Sequence, residues 1–309
     1  DDQSIVDPRV VDHWRDLTET VDLSCAAREL LVLIYMKNVK LRYKLVPNGG
    51  VVFEAPEYCS SSSIDERRLL RLVRTMEREA DLQRYVRRHI LRIYPMNQRV
   101  DSSNFDPVPA WNAGCQMVAL NYQTNSPAVW LSHGKFLDNG GCGFVLKPRH
   151  LRSDALPQDG PEDLAVAQQR TLRVKIISGH YLAPSLDLEN DSPERENFVA
   201  ADPFVELSVT GAKFDSHAFR TRAVRKNSFN PVWNQTCRMH VENFDLALAL
   251  FQVKDSDDSL LGQACLPVSS IRPGYRVVPL RSAACAPLRH SYLFCKFEIS
   301  TSSSLSSKA

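Results

Sequence analysis

Apolar positions in the first half of the chain fall into short runs, interrupted by one long stretch of helical spacing. Leu30-Leu31-Val32-Leu33-Ile34-Tyr35 is near-continuously apolar, the pattern of a strand covered on both faces. From Ile64 to Ile90, the residues Leu69, Leu72, Val73, Met76 and Ala80 recur three and four apart, which predicts a helix. Ser63, with Glu66 three residues later, reads as its capping box. Ile90 to Tyr94, Cys115 to Tyr122 and Gly143 to Leu146 predict further strands. Strands separated by helical or looped segments point to parallel α/β packing, and so few of them to half of a larger sheet or barrel.

The pattern changes near residue 153. Ser153 to Asp163 is rich in Pro, Gly and acid, the mark of a linker. Beyond it, alternating strands are predicted at 172–177, 204–209, 219–222, 246–253, 262–266, 276–280 and 292–297, divided by polar turns. About eight strands at this spacing suggest a β-sandwich. The serine-rich end, Thr301 to Ala309, reads as a tail without a fold of its own.

Composition narrows the function classes. The chain has 309 residues, 43% hydrophobic and 24% charged, as expected of two cored domains. A net charge of +2 gives no bulk electrostatic basis for binding nucleic acid. No apolar stretch approaches the roughly 20 residues of a spanning helix. The chain opens Asp1-Asp2-Gln3, with neither Met nor an apolar leader core, and is expected to be a piece of a longer protein. Its eight cysteines form no Cys-x-x-Cys pair and read as reduced, mostly buried thiols in a cytoplasmic protein.

Candidate chemistry is sparse. Asp65 to Arg92 holds nine arginines and five acids, mainly a solvated charged face. Arg92 differs: it lies inside an apolar strand, two residues before Tyr94, so the two side chains share a face. At the carboxyl end of a barrel strand, a guanidinium there grips phosphate and a ring covers a sugar or cyclitol; a strand-end ion pair beside a rim tyrosine is the plainer reading. His89, His133 and His150 are isolated, and Gly140 to Gly143 fits a tight turn better than a phosphate loop. In the sandwich, Asp202 ends an acidic connection, and Asp255-Ser256-Asp257-Asp258 follows a strand. Carboxylates converging from two loops suit calcium, although solvated turn aspartates read equally well.

Several stretches are specific enough to carry a resemblance. Arg92-Ile93-Tyr94-Pro95, Arg99-Val100-Asp101-Ser102-Ser103-Asn104-Phe105, Trp111 to Thr124 and Gly141 to Pro148 closely resemble the so-called Y half of the catalytic barrel of phosphoinositide-specific phospholipase C. Arg173 to Gly179, Asn227-Ser228-Phe229-Asn230-Pro231-Val232-Trp233 and Gly274-Tyr275-Arg276 resemble the C2 domain that follows it. The likeness covers roughly residues 27 to 300. Asp202 to Glu206, Gly211 to Ser216 and Gly274 to Leu280 are most similar to the gamma class.

The resemblance implies a multi-domain α/β plus all-β chain: the C-terminal half of a (β/α)8 TIM barrel followed by a C2 β-sandwich. Its divisions are an extension at 1–26, the half-barrel at 27–152, a linker at 153–170, the C2 domain at 171–300 and a tail at 301–309. It further implies that Ser63 contacts a ring phosphate, Arg92 holds the 4-phosphate and Tyr94 stacks on the inositol ring. The segment Ser63-Ile64-Asp65-Glu66 departs from the family's Ser-Phe-Ser-Glu in its middle. Asp202, Asp255 and Asp257 fall on the calcium-site aspartates of the C2 loops, of which the third is short here. The family's catalytic histidines and active-site calcium ligands lie in the X half, absent from this chain. The implied function is hydrolysis of phosphatidylinositol 4,5-bisphosphate to diacylglycerol and inositol trisphosphate in signalling, with calcium as cofactor. Implied partners are the phosphoinositide lipid, an anionic membrane surface and the X half, in a cytoplasmic, peripherally membrane-associated enzyme. The alternative is a catalytically inactive phosphoinositide-binding scaffold, which the residues upstream of Asp1 would distinguish. A stand-alone C2 module leaves the first 150 residues unexplained.

Overall fold

The run Ser60-Ser61-Ser62-Ser63-Ile64 has little strand preference apart from Ile64, yet it lies inside a small parallel sheet, paired on both sides. The computed structural model describes residues 37–47, 49–54, 60–152, 169–182, 201–212 and 215–301. In it, β1 (Lys37–Asn38), β4 (Ser60–Asp65), β5 (Ile90–Tyr94) and β6 (Met117–Val118) lie side by side and all parallel. A short antiparallel hairpin, β2 (Tyr43–Leu45) and β3 (Val51–Phe53), precedes β4.

The long helix expected over Ile64–Ile90 is instead a strand followed by two helices, α1 (Glu66–Leu72) and α2 (Met76–Arg88). Ser63 lies within β4 and caps nothing. Asp65 caps α1, its Oδ1 accepting from the Arg68 amide at 2.8 Å, and Thr75 caps α2 after a break. The apolar spacing persists across the break because both helices bury Leu69, Leu72, Leu82, Tyr85 and Val86 against the same face of the sheet. The run at 30–35 lies outside the described residues.

Two other expected strands shrink. Of Cys115–Tyr122 only Met117 and Val118 pair. Gly143–Leu146 is no strand: positive φ at Gly140, Gly141 and Gly143 curls the segment, and Asn139 Nδ2 donates to the Phe144 carbonyl. Phe144 and Leu146 are left 74% and 73% exposed. Helices α3 (Val108–Asn112), α4 (Pro127–Phe136) and α5 (Arg149–Arg152) complete this unit.

The second unit is the expected sandwich. Its strands are β7 (Arg170–His180), β8 (Phe204–Thr210), β9 (His217–Arg220), β10 (Val232–Val241), β11 (Leu248–Lys254), β12 (Leu260–Pro267), β13 (Gly274–Arg281) and β14 (Pro287–Thr301). β12 and β13 meet only at the pair Gln263 and Arg281. The array therefore divides into two four-stranded layers, β10-β7-β14-β13 and β12-β11-β8-β9. Between them sit Val174, Ile176, Leu207, Val209, Phe251, Leu280 and Phe297, all buried. Only β10 had no counterpart in the predicted strands.

Helix α4 joins the two units. Val108, Trp111, Trp130 and Leu131 bury against Leu248, Leu250 and Cys265 of β11 and β12. Trp130 Nε1 donates to the Ala283 carbonyl at 2.7 Å, and Asn112 Nδ2 to the Gly211 carbonyl at 2.6 Å. Gly134 is what permits this approach. A Cβ there would lie 2.3 Å from Cys265 Sγ and 2.8 Å from the Cys265 carbonyl oxygen. Gly134→Ala is therefore expected to destabilise the protein by about 1–3 kcal/mol through overpacking. Denaturant unfolding measures this, and adding Cys265→Ala restores only part of the loss, because the backbone contact remains.

Candidate functional site

Alternation along β5 builds the site. Leu91 and Ile93 are 0% exposed beneath α1 and α2, so Arg92 and Tyr94 project from the opposite, open face. Parallel pairing then fixes their neighbours: Ser63 of β4 stands opposite Arg92, Asp65 opposite Tyr94, and Met117 of β6 on the other side of Arg92. The Arg92 guanidinium carbon lies 5.5 Å from the centroid of the Tyr94 ring. Arg92 is exposed, and Ser63 and Tyr94 are half-buried. A cation, an aromatic ring and a hydroxyl thus share one surface. The structure brings together the three residues singled out for headgroup contact.

The loops at the carboxyl ends of these strands are braced to one another. Glu66, its side chain 5% exposed, receives Arg99 on both oxygens: Nε to Oε1 at 2.6 Å and Nη2 to Oε2 at 2.8 Å. The Met96 amide donates to the same carboxylate, so the chain leaving β5 is tied to the first turn of α1. The Arg99 guanidinium holds the Glu66 carboxyl below its ordinary value of 4.5, outweighing the opposing effect of burial. Asn104 and Asn121 exchange side chain and backbone bonds of 2.7 and 2.9 Å, linking the loops after β5 and β6. Sequence reasoning took Glu66 for a capping residue and gave none of these four a positioning role. The signal available was Arg99 and Asn104 within one polar stretch directly after a strand.

The remaining candidates assemble less. His89 packs on the Tyr85 ring at 4.7 Å, and burial lowers its pKa, as it does for His133 and His150. In the sandwich, Asp255 Oδ1 accepts from the Asp202 amide at 2.9 Å, while Asp202 Oδ1 accepts from the Lys226 amide at 2.6 Å. Asp257 Oδ1 accepts from the Ser259 amide. Each acid thus caps loop backbone. Among the described residues, no three His, Cys, Asp or Glu side chains converge as a cation requires. Asp202 and Asp255 are joined through the Asp202 amide, and Asp257 follows Asp255 in the same loop. The acids at 187–196 lie outside the described residues.

Residues 31–150 match the family described as phosphatidylinositol-specific phospholipase C, Y domain, and residues 170–280 match the C2 domain. The chain is 34% identical over 286 residues to the Caenorhabditis elegans 1-phosphatidylinositol 4,5-bisphosphate phosphodiesterase gamma plc-3, covering 88% of this chain and 20% of that protein. It is 36% identical over 256 residues to a Dictyostelium discoideum 1-phosphatidylinositol 4,5-bisphosphate phosphodiesterase, covering 81% and 31%. The crystal structure of S. officinalis PLC21 superposes with a TM-score of 0.65 at 28% identity, over 78% of this chain and 30% of that one. The chain therefore spans less than a third of the length of these relatives. The parallel unit is the second half of a TIM barrel, and the sandwich is a C2 domain.

Glu66→Gln is expected to cost about 1.5–3 kcal/mol, the range for hydrogen bonds to a charged group. Because the folded pKa is depressed, the stabilisation from Glu66 is complete above its ordinary value near 4.5 and is lost as pH falls through the lower folded value. Acid unfolding followed by circular dichroism should show a shallower acid limb in the variant than in the parent.

Proposed function

Since the chain belongs to the phosphatidylinositol-specific phospholipase C family, we propose that its parent protein hydrolyses phosphatidylinositol 4,5-bisphosphate to diacylglycerol and inositol trisphosphate. The observation that carries this reading is the open-face group of Arg92, Tyr94 and Ser63. Arg92 presents a planar set of N–H donors to a ring phosphate. Tyr94 offers its face to the cyclitol ring, and Ser63 a hydroxyl that donates to the same or a neighbouring phosphate. These groups hold and orient the headgroup, which converts binding into positioning for a reaction performed by residues outside this chain. The scissile phosphodiester is cleaved with addition of water, and the X half is the assigned source of the groups that move the protons. Within the family, the 34% identity to a gamma-class relative supports placement in that class.

The topology supports a shared direction of approach to a membrane. The first turns of α4 leave the loop at the carboxyl end of β6 and reach Ala283, between β13 and β14, while Asp138, just past its other end, bonds Ser270. The headgroup end of the half-barrel and the loop end of the C2 domain, with Asp202 and Asp255, thus point the same way. No described helix is long and apolar enough to cross a membrane. Peripheral attachment to an anionic surface fits both facts, and the cytoplasm is the compartment proposed for it.

Arg92→Ala in the full-length protein is expected to reduce hydrolysis of 4-phosphorylated lipids tenfold or more, while leaving unphosphorylated phosphatidylinositol much less affected. Vesicle assays on the two substrates decide this, and equal losses would assign Arg92 to the fold. For calcium, Asp202, Asp255 and Asp257 are the proposed ligands, and so few acids make a weak site, with affinity no tighter than about 10⁻⁵ M. Calorimetry on the parent and Asp255→Asn measures the difference, and a tighter Asp255-dependent site would overturn that expectation.

A further inference from the structure

The outer face of the layer β10-β7-β14-β13 carries a charge pattern that works against the sheet. Leu172, Val174, Cys295 and Phe297 point into the sandwich core, so by alternation Arg173 and Lys175 of β7, and Lys296 and Glu298 of β14, point outward. Arg238 of β10 is exposed on the same face, its neighbours Cys237 and Met239 turned toward the core. Strand register then sets like charges directly across from one another: Arg238 opposite Arg173, and Lys175 opposite Lys296. Such pairs destabilise a sheet. Glu298 is the one acid in these rows, and it pairs with both Arg173, at 3.1 Å, and Lys296, at 2.7 Å. Among the described residues, Lys175 and Arg238 form no ion pair.

An apolar strip continues the face on β13. Tyr275, 59% exposed, stands opposite Lys296 and stacks on Phe294 at 5.8 Å; Val277, 54% exposed, stands opposite Phe294. Lys296 Nζ lies 5.6 Å from the centroid of the Tyr275 ring, so the cationic rows and the strip meet there.

Neither neighbour described so far accounts for this surface. The half-barrel packs on β11 and β12, in the other layer. β7 runs from Arg170 toward the loops that carry Asp202 and Asp255: the Leu182 amide donates to the Ser228 carbonyl, in the same loop as Lys226, whose amide Asp202 holds. Lys175 and Arg173 lie five and seven residues before His180 at that end. At about 3.3 Å per residue they stand roughly 17 and 23 Å back along the strand, against a screening length of about 8 Å at physiological salt. A lipid surface touching the loops hardly feels these cations.

We propose that this face docks an acidic peptide segment of a protein partner, its carboxylates over Arg238, Arg173, Lys175 and Lys296 and an apolar side chain against Tyr275 and Val277. The inference goes beyond the headgroup reading and does not rest on it. Carboxylates placed between the facing cations turn two repulsive pairs into bridged ones, so binding removes a cost that the free sheet carries. Arg173 and Arg238 offer planar forks that take a carboxylate through two parallel hydrogen bonds. Tyr275, already stacked on Phe294, has little freedom left to lose when a side chain packs on it.

Fluorescence anisotropy on the full-length protein tests this with a labelled synthetic peptide of alternating glutamate and leucine around a central phenylalanine. A control peptide carries glutamine in place of every glutamate, and vesicles of phosphatidylcholine with phosphatidylserine are assayed separately by sedimentation. Lys175→Gln and Arg238→Gln are each expected to weaken peptide binding about fivefold, the upper range for an exposed ion pair, and Tyr275→Ser by a similar factor. Glu298→Gln, which removes the competing acid, is expected to tighten it about twofold. Vesicle binding should change less than twofold in all four variants. Lys175→Gln should also raise the urea midpoint of the unliganded protein, which separates a lost contact from a lost fold. No binding of the acidic peptide by the parent, equal binding of the glutamine control, or no tightening in Glu298→Gln would overturn the proposal. A lower urea midpoint in Lys175→Gln would overturn it too, by assigning the cations to the sheet. Vesicle binding that falls in step with peptide binding would instead assign the face to lipid.

Discussion

Burial of Leu91 and Ile93 is the constraint on which the proposed headgroup face depends. Both are fully enclosed beneath α1 and α2, and side chains on a strand alternate strictly between faces. A slip of one residue would drive the Arg92 charge into that apolar layer and expose the two aliphatic chains. The register of β5 is therefore held by the cost of every alternative. Pairing with β4 transfers that certainty sideways, so that Ser63 faces Arg92 without needing a hydrogen bond of its own to be placed there. The polar face is positioned by the apolar one.

What the strand ends present is then stabilised from outside the sheet. The Glu66–Arg99 pair, with the Met96 amide on the same carboxylate, fixes the chain leaving β5 against the start of α1. The Asn104–Asn121 exchange does the same between the loops after β5 and β6. Neither pair belongs to the headgroup face itself. Each removes freedom that the loops would otherwise have to lose on binding.

Much of this was legible in the sequence, and the omissions share a cause. Leu91, Ile93, Arg92 and Tyr94 announce their faces by local alternation, and the sandwich strands do the same. The break between α1 and α2 was hidden because both helices bury one continuous apolar stripe, so periodicity carried straight across Val73 to Thr75. Ser63 looked like a cap because Glu66 stands three residues on, whereas its strand exists through pairing with β1 and β5, a long-range fact. The strand expected at Gly143 to Leu146 failed for the converse reason. Its short apolar run is present, but the β6 ladder is two residues long and the glycines curl the chain away. Gly134 carried no local signal at all, since its role is set by Cys265, far along the chain.

The close approach at Gly134 also governs how affinities combine. A helix packed backbone-close onto β12, with Trp130 and Asn112 bonded across the same junction, leaves no slack between the half-barrel and the C2 domain. On the lipid surface proposed above as its partner, contact through one unit would deliver the other at a fixed height and spacing, as a short stiff linker does in a bivalent ligand. The effective concentration of the second contact becomes high, and two individually weak attachments multiply rather than add. Loosening the junction would weaken residence on the surface without altering a single group that touches lipid.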